Sequence, residues 1–311
     1  MPRRPRGRDD PLRCRVYHEG DQPPVGIQDL PTTQCTTGIR FQEFTPEHLD
    51  DAVNLSRQAG WPHRREDWAM VLGLSSGIVA ISGGKVVGTA LVTRYGAGAA
   101  TINMVIVDTA LRGQGIGRSL MELGLQAGEG RELRLIATRE GLPLYEKLGF
   151  RATDEILQHQ GVLGEVQAAE SVEWAAPDDG AVLAELDQAA CDMDRGALIR
   201  LLEQQGRLAV LRRAGRPQGF AALRAFGRGE VAGPVVAADA ADARALLRFL
   251  FAGRAGAFMR VDTTASRGLA PWLAAQGLAH AGGGIAMRRG GTDGGGAGAV
   301  RTFALASQAL G

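Results

Sequence analysis

The sequence predicts a protein of the α/β (α+β) class built from two similar units, and three observations point to it. Short runs rich in Val, Ile and Leu alternate with amphipathic runs along most of the chain. Gly83-Gly84 joins two of the apolar runs, which is the turn chemistry of a β-hairpin. The order of runs then repeats: helices, a hairpin, a further strand, a helix, a strand, a short helix ending in Gly, and a last strand. Leu148-Gly149-Phe150 in the first half has its counterpart in Gln276-Gly277-Leu278 in the second. A chain of 311 residues can hold a sizeable core in each unit.

The elements follow in order. Residues 1–37 are rich in Pro, Arg and Asp and read as a disordered leader. Its Arg3, Arg4, Arg6 and Arg8 are either a solvated tail or a contact for RNA or an acidic surface. Ile39, Phe41 and Phe44 fit a first strand. Thr45-Pro46-Glu47 then opens a helix, with a Thr cap, Pro at the first position and an acid in the first turn, and the helix stops at Gly60. A second helix is expected over 64–74, a hairpin over 77–82 and 86–95, and a strand ending at Asp108. A helix from Gly117 to Ala127, a strand over 133–137, a short helix over 142–148 and a last strand from Phe150 complete a unit that spans 38–162. The second unit, 163–311, is expected to carry helices at 181–189 and 195–205 and strands at 208–212, 219–225 and 231–236. An alanine-rich helix at 240–251, a strand at 258–262, a helix at 269–276 and a final strand at 285–288 follow. Beyond them lie a glycine-rich stretch, 290–298, and the tail Phe303-Ala304-Leu305-Ala306.

The composition narrows the chemistry. A net charge of +1 gives no bulk attraction for nucleic acid, so none is expected as a partner. Cys14, Cys35 and Cys191 form neither a disulfide framework nor a metal pair, which fits a reducing cytoplasm and a protein without a metal. No apolar run approaches the roughly 20 residues of a membrane span, and no secretion signal opens the chain.

The stretch that carries chemistry is Ile102 to Phe150. A strand there runs into Arg112-Gly113-Gln114-Gly115-Ile116-Gly117-Arg118-Ser119 and a helix. Glycines at such a junction leave unpaired N–H groups at a helix N-terminus, where the helix dipole adds partial positive charge, so the turn suits a phosphate or pyrophosphate. Arg112, Arg118 and Ser119 can add donors. It is neither the dinucleotide fingerprint, which needs Gly where Arg118 stands, nor a P-loop, which needs Gly-Lys-Ser/Thr. Taken alone, the turn reads equally as an ordinary strand–helix connection.

Arg112-x-x-Gly115-x-Gly117 after a strand, with Leu144-Tyr145-Glu146-Lys147-Leu148-Gly149-Phe150 downstream, is similar to the two signature motifs of the GNAT superfamily of N-acetyltransferases. The similarity covers roughly Ile39 to Gly161. The full chain resembles a bacterial subgroup with a second, degenerate GNAT-like domain; Gly233-Pro234 and the closing Phe303-Ala304-Leu305-Ala306-Ser307 match its pattern. The resemblance implies a mixed, mostly antiparallel central sheet flanked by helices in each domain. It implies acetyl-CoA (coenzyme A after transfer) as co-substrate, and a primary amine of a small molecule or peptide as acceptor, attacked directly without a covalent enzyme intermediate. Met104, Val105, Ile106 and Val107 would pair by backbone with the pantetheine arm, in the gap where this strand splays from 133–137. Gly113, Gln114, Gly115, Ile116 and Gly117 would hold the pyrophosphate, with Arg112, Arg118 and Ser119 at its edge. Tyr145 would give a proton to the leaving thiolate. Thr138 stands where many relatives carry an Asn that contacts the cofactor.

Other residues keep two readings each. Tyr145 is otherwise a packed helix tyrosine. Asp108 is a proton acceptor or a cap. Glu43, His63 and Asp67 are candidates for the base or are surface and packing residues, and a water relay would need none of them. Trp61, His63, Trp68 and Tyr95 shape an acceptor pocket or pack the core. The second half lacks the glycine turn: Val235-Val236-Ala237-Ala238-Asp239 runs straight into a helix, and Trp272 occupies the helix that carries Tyr145 in the first half. It is expected to bind no cofactor, and either to complete the acceptor site or to form a homodimer interface. The rival to an enzyme is an acyl-CoA-binding sensor or interaction protein that keeps the pocket without the chemistry.

Overall fold

A computed structural model describes residues 33–34, 38–291 and 298–311. Most of the expected leader, with Cys14 and Cys35, and most of the glycine-rich stretch before Val300 therefore lie outside the described residues; Thr33–Gln34, expected as part of the disordered leader, instead form a short strand on Arg40 and Phe41.

In the first half β1 (Thr33–Gln34), β2 (Arg40–Glu43), β3 (Ser75–Ser82), β4 (Lys85–Tyr95), β5 (Ala99–Val107), β6 (Glu132–Ala137) and β7 (Arg151–Val162) alternate with α1 (Leu49–Gln58), α2 (Arg65–Gly73), α3 (Ile116–Ala127) and α4 (Leu142–Lys147). The second half carries β8 (Val172–Trp174), α5 (Gly180–Cys191), α6 (Gly196–Gln205), β9 (Gly206–Arg213), β10 (Arg216–Phe226) and β11 (Gly229–Ala237). It continues with α7 (Ala240–Phe251), β12 (Phe258–Thr264), α8 (Ala270–Ala275), β13 (Ala279–Arg289) and β14 (Arg301–Ala304). The helix expected at Thr45 opens as a 3-10 turn, Pro46–His48, before α1 begins. β14, read from sequence as a tail, is a strand.

All fourteen described strands form one sheet, in the order β1-β2-β3-β4-β5-β6-β13-β7-β12-β14-β11-β10-β9-β8. Most neighbours are antiparallel; β5–β6 and β11–β12 are the parallel pairs among them. Successive strand residues point to opposite faces, so each face has its own core. On one face α1, α2, α5 and α6 cover a single apolar cluster that contains Phe44, Trp68 and Leu91 of the first half with Leu198 and Phe220 of the second. On the other, α3 packs on Ile78, Val87 and Ala90, and α7 packs on Leu223, Val235 and Val261.

The halves are also joined by exchange. β13, from the second half, lies between β6 and β7 of the first, pairing Ile285 with Ala137 and Arg289 with Leu133. β7 in turn pairs with β12 from Phe258↔Val162 to Thr264↔Ile156. The sequence units 38–162 and 163–311 each give their last long strand to the sheet of the other. A long strand that ends one repeat can close either sheet, because both offer the same kind of edge.

Candidate active site

The site begins where β5 and β6 part. They pair in parallel at Ala99↔Glu132, Ala100↔Leu133 and Thr101↔Arg134, and then diverge. Met104 has φ +50 and interrupts β5, and its carbonyl accepts from Thr89 Oγ1 at 2.7 Å. The pairing register with β4 shifts at that point, from Leu91↔Asn103 to Thr89↔Ile106, as a β-bulge requires. The edge of β5 from Ile102 to Val107 that would face β6 is left without a strand partner.

A cleft of about 760 Å³ fills this gap. Its walls include Val105, Ile106 and Val107 of β5, and Ile136 and Thr138 after it. At one end stands the start of α3. Gly113 (φ +80) and Gly115 (φ +81) hold left-handed conformations that favour glycine, and Gly115 is the helix N-cap. With no side chain there to cap the first turn, its N–H groups are left for another acceptor. Arg112, Gly113, Gly115, Ile116, Gly117 and Arg118 all line the cleft. Gln114 does not, and its side chain is exposed. Ser119 lies one turn into α3, where its N–H donates to Gly115 O at 3.0 Å; it too is outside the lining. Arg112 Nε reaches Val107 O at 3.4 Å, and Arg118 pairs with Glu122 at 3.0 Å on the helix surface.

Thr138 lines the cleft, but its Oγ1 accepts from Gly141 N at 3.3 Å, so the hydroxyl serves the turn into α4. Tyr145, on α4, lines the cleft at 8 % exposure and meets Phe150 edge-on, with ring centroids 6.3 Å apart. Burial pushes its phenol up to about 12, because the phenolate would lose its hydration there. At neutral pH Tyr145 is a proton donor.

The other candidates separate. Asp108 Oδ1 accepts from Ala110 N at 2.9 Å and caps a 3-10 turn. Glu43 is exposed on β2, away from the cleft. Asp67 is buried in an ion pair with Arg64 and also accepts from Gly227 N, so it joins the halves. Trp68 is fully buried and donates to Ser56 Oγ at 2.8 Å; it is core. Tyr95 donates to Leu310 O at 2.8 Å and anchors the last residues of the chain. Trp61 and His63 do line the cleft. The His63 ring meets Phe226 edge-on at 5.3 Å, and its Nδ1 is buried without a hydrogen-bond partner.

Burial, then the Arg260 guanidinium, lowers the pKa of His63 from its ordinary 6.5 to about 4, so the ring is neutral at pH 7. The unfolded chain therefore binds a proton at His63 between pH 6.5 and 4 that the folded chain rejects. The stability tied to this group is fully present above pH 6.5 and lost as pH falls toward 4, by roughly 3 kcal/mol in all. Urea unfolding at pH 7 and pH 5 is expected to show this loss in the native protein and to show it reduced in His63→Gln. Equal losses in both would place the acid sensitivity elsewhere.

The second half supplies the far wall: Phe226, Arg260, Ala281, Gly283, Ser307, Gln308 and Ala309. Of these, Ser307 alone stood in a stretch marked in the sequence, as the end of the closing motif, and none was read as a site residue. Arg260 and Asp262 left a signal, since residues two apart on an apolar strand share a face and a buried Arg needs an acid. At the corresponding place in the second half the gap is filled by a strand. β11 and β12 pair in parallel at Glu230↔Met259 and Val231↔Arg260, as β5 and β6 do, but β14 then enters between them. At the start of α7, Asp239 accepts from Ala241 N and Asp242 N at 2.8 and 2.9 Å, so a carboxylate takes the N–H groups that Gly115 leaves open.

Comparison with known proteins agrees with this geometry. Models of the acetyltransferase (GNAT) domain match residues 74–152 and, separately, 183–295. The chain is 34% identical to YitH of Bacillus subtilis, an uncharacterized N-acetyltransferase, over 119 residues that span 36% of this chain and 41% of that relative. In fold it is similar to a candidate acetyltransferase of Pyrococcus horikoshii, with TM-score 0.74 and 20% identity over 91% of this chain and 99% of that one. It is also similar to a GCN5-related N-acetyltransferase of Sphaerobacter thermophilus, with TM-score 0.58 and 18% identity over 82% and 97%. The two matched domains, and the splayed strands with the uncapped glycine turn between them, place the chain in the GNAT acetyltransferase family, as a member with two such domains in tandem.

Proposed function

We propose that the protein is an acyl-CoA-dependent N-acyltransferase that uses acetyl-CoA and acts on a primary amine, with one active site per chain. The observation that carries this reading is a single cleft that joins the free edge of β5, the uncapped start of α3 and the protonated Tyr145. An extended pantetheine arm would add to β5 as a strand does, through the backbone of Val105, Ile106 and Val107. The N–H groups from Gly113 to Gly117 would take the pyrophosphate, with Arg112 and Arg118 at its edge.

The amine nitrogen would form its bond to the thioester carbon as the C–S bond breaks. Tyr145 would give its proton to the departing sulfur. The proton lost by the amine would pass to water, because the His63 ring on the cleft wall is held near pKa 4 and its Nδ1 is buried. The residues of the second half on the far wall support a role for that half in completing the acceptor end.

Mixing the protein with acetyl-CoA and a panel of amines, and following free thiol, tests the reading; calorimetry reports acetyl-CoA binding separately. Thiol release that depends on the amine is the expected result, and absence of acetyl-CoA binding would sink the proposal. A non-catalytic acyl-CoA sensor would bind without turnover on any amine.

A further inference from the structure

The acceptor end of the cleft is backed by two buried arginines that the neighbouring carboxylates answer only in part. Arg224 of β10 and Arg260 of β12 flank Val231 of β11 on one rung of the sheet. Each guanidinium lies 5.0 Å from the Phe226 ring, and the two residues are only 5 % and 6 % exposed. Arg260 forks onto Asp262 through Nε and Nη2, at 2.9 and 3.0 Å, which leaves Nη1 outside the fork. Arg224 has a buried Nε without a partner and reaches Asp67 at only 3.7 Å, because Asp67 is already held by Arg64 at 2.9 Å. Arg64 is part-exposed, so the buried guanidiniums are Arg224 and Arg260. Arg224 leans on the carbonyls of Ala225 and Ala306 at 3.3 and 3.5 Å, and its positive charge is answered by a carboxylate only at 3.7 Å. Such a charge is costly unless something answers it.

Of the two, Arg260 lines the cleft. Beside it stand the amides of Gln158 and Gln308, with Gln308 Nε2 donating to Asp262 Oδ1 at 2.9 Å and to Gln158 Oε1 at 3.3 Å. Trp61 and Phe226 add aromatic walls. Gln308 spends both its N–H groups on Asp262 and Gln158, and Gln158 Nε2 spends one on Gln160 Oε1 at 3.1 Å, so Arg260 Nη1 and the second N–H of Gln158 are the donors left. A partly answered guanidinium, one amide donor and apolar sides describe a seat for a monoanionic, planar group rather than for a bare amine.

We infer that the acceptor is an amine that also carries a carboxylate, as an amino acid does, and that Arg260, with Gln158 beside it and Gln308 bracing Asp262 and Gln158, seats the carboxylate while the amine points to Tyr145. This rests on the acyltransferase reading above and narrows its substrate class. The seat exists only because the second half is folded against the first: Arg260 and Gln308 come from one half, Gln158 from the other.

The test compares free amino acids with their amides, as acceptors and as ligands. Thiol release is expected to favour the acid over its amide by roughly 30-fold in kcat/KM, the worth of a charge-assisted hydrogen bond. Calorimetric titration of the same pairs into the CoA-bound protein is expected to show the same preference, and it reads the seat even if no amine is turned over. Arg260→Gln alone leaves Asp262 buried and unpaired, so the informative variant is the double change Arg260→Gln with Asp262→Asn, which removes both charges at nearly constant volume. It is expected to erase the acid-over-amide preference, with acetyl-CoA binding measured as the check on folding. Equal handling of acid and amide by the native protein, or a preference that survives the double change, overturns the inference. Absence of turnover with acid-selective binding retained would instead overturn the acyltransferase reading.

Discussion

Replacing Tyr145 with Phe is expected to lower kcat by about 100-fold, at the lower end of what a positioned proton donor contributes, while leaving acetyl-CoA affinity close to native. The change removes one oxygen and keeps the ring, so the edge-on contact with Phe150 and the packing of α4 persist. The loss falls on the chemical step because the thiolate must then leave without a proton from the wall. Burial holds the phenol near 12, so its protonated form persists through neutral pH. Tyr145 should therefore produce no inflection in a rate profile between pH 6 and 9. Thiol-release kinetics with a saturating amine measure the effect. Native kcat in the Phe variant would remove Tyr145 from the reaction, and indifference joined to a lack of turnover is what a sensor would show.

The second large effect concerns the strand exchange. Gly283 sits in β13, where it lies opposite Leu157 of β7, with φ +148, a backbone conformation that L side chains rarely adopt. A Cβ placed on it would lie 1.8 Å from Ile156 O. The obstacle is backbone in the middle of the sheet, so no rotamer change can relieve it. Strain at the special conformation and overpacking each cost up to about 3 kcal/mol. Gly283→Ala is expected to destabilise the protein by about 4 kcal/mol, a large share of a typical total, and to lower Tm by roughly 10 °C. Urea and thermal unfolding measure it. Native stability in this variant would mean that β13 does not run between β6 and β7. Gly283 also lines the cleft, so a variant that still folds should bind the acceptor less well.

Much of the first domain was legible in the residues. Arg112, Gly113, Gly115, Ile116, Gly117 and Arg118 stand around the cleft because a glycine turn between a strand and a helix leaves little choice of geometry. The helix expected at 240–251 is α7, with Asp239 as its cap, since a cap and an apolar stripe are local signals. Gln114 and Ser119 belong to the same motif but are not among the residues that line the cleft. Motif membership names a segment, while the direction of each side chain depends on where the helix starts.

By itself, then, the chain's order of apolar runs and glycines determined two α/β units, a glycine turn between strand and helix in the first alone, and a tyrosine downstream of it. These are consequences of local periodicity, caps and turns. Only the tertiary structure decided which strand closes which sheet, that β14 fills the gap in the second half, and that Arg260, Gln158 and Gln308 meet at one end of the cleft. Strand pairing between distant segments depends on which edges are free once everything else is packed. The value of a buried charge depends on neighbours far away in sequence, and Arg224, Arg260, Asp67 and Asp262 come together only when both halves have folded.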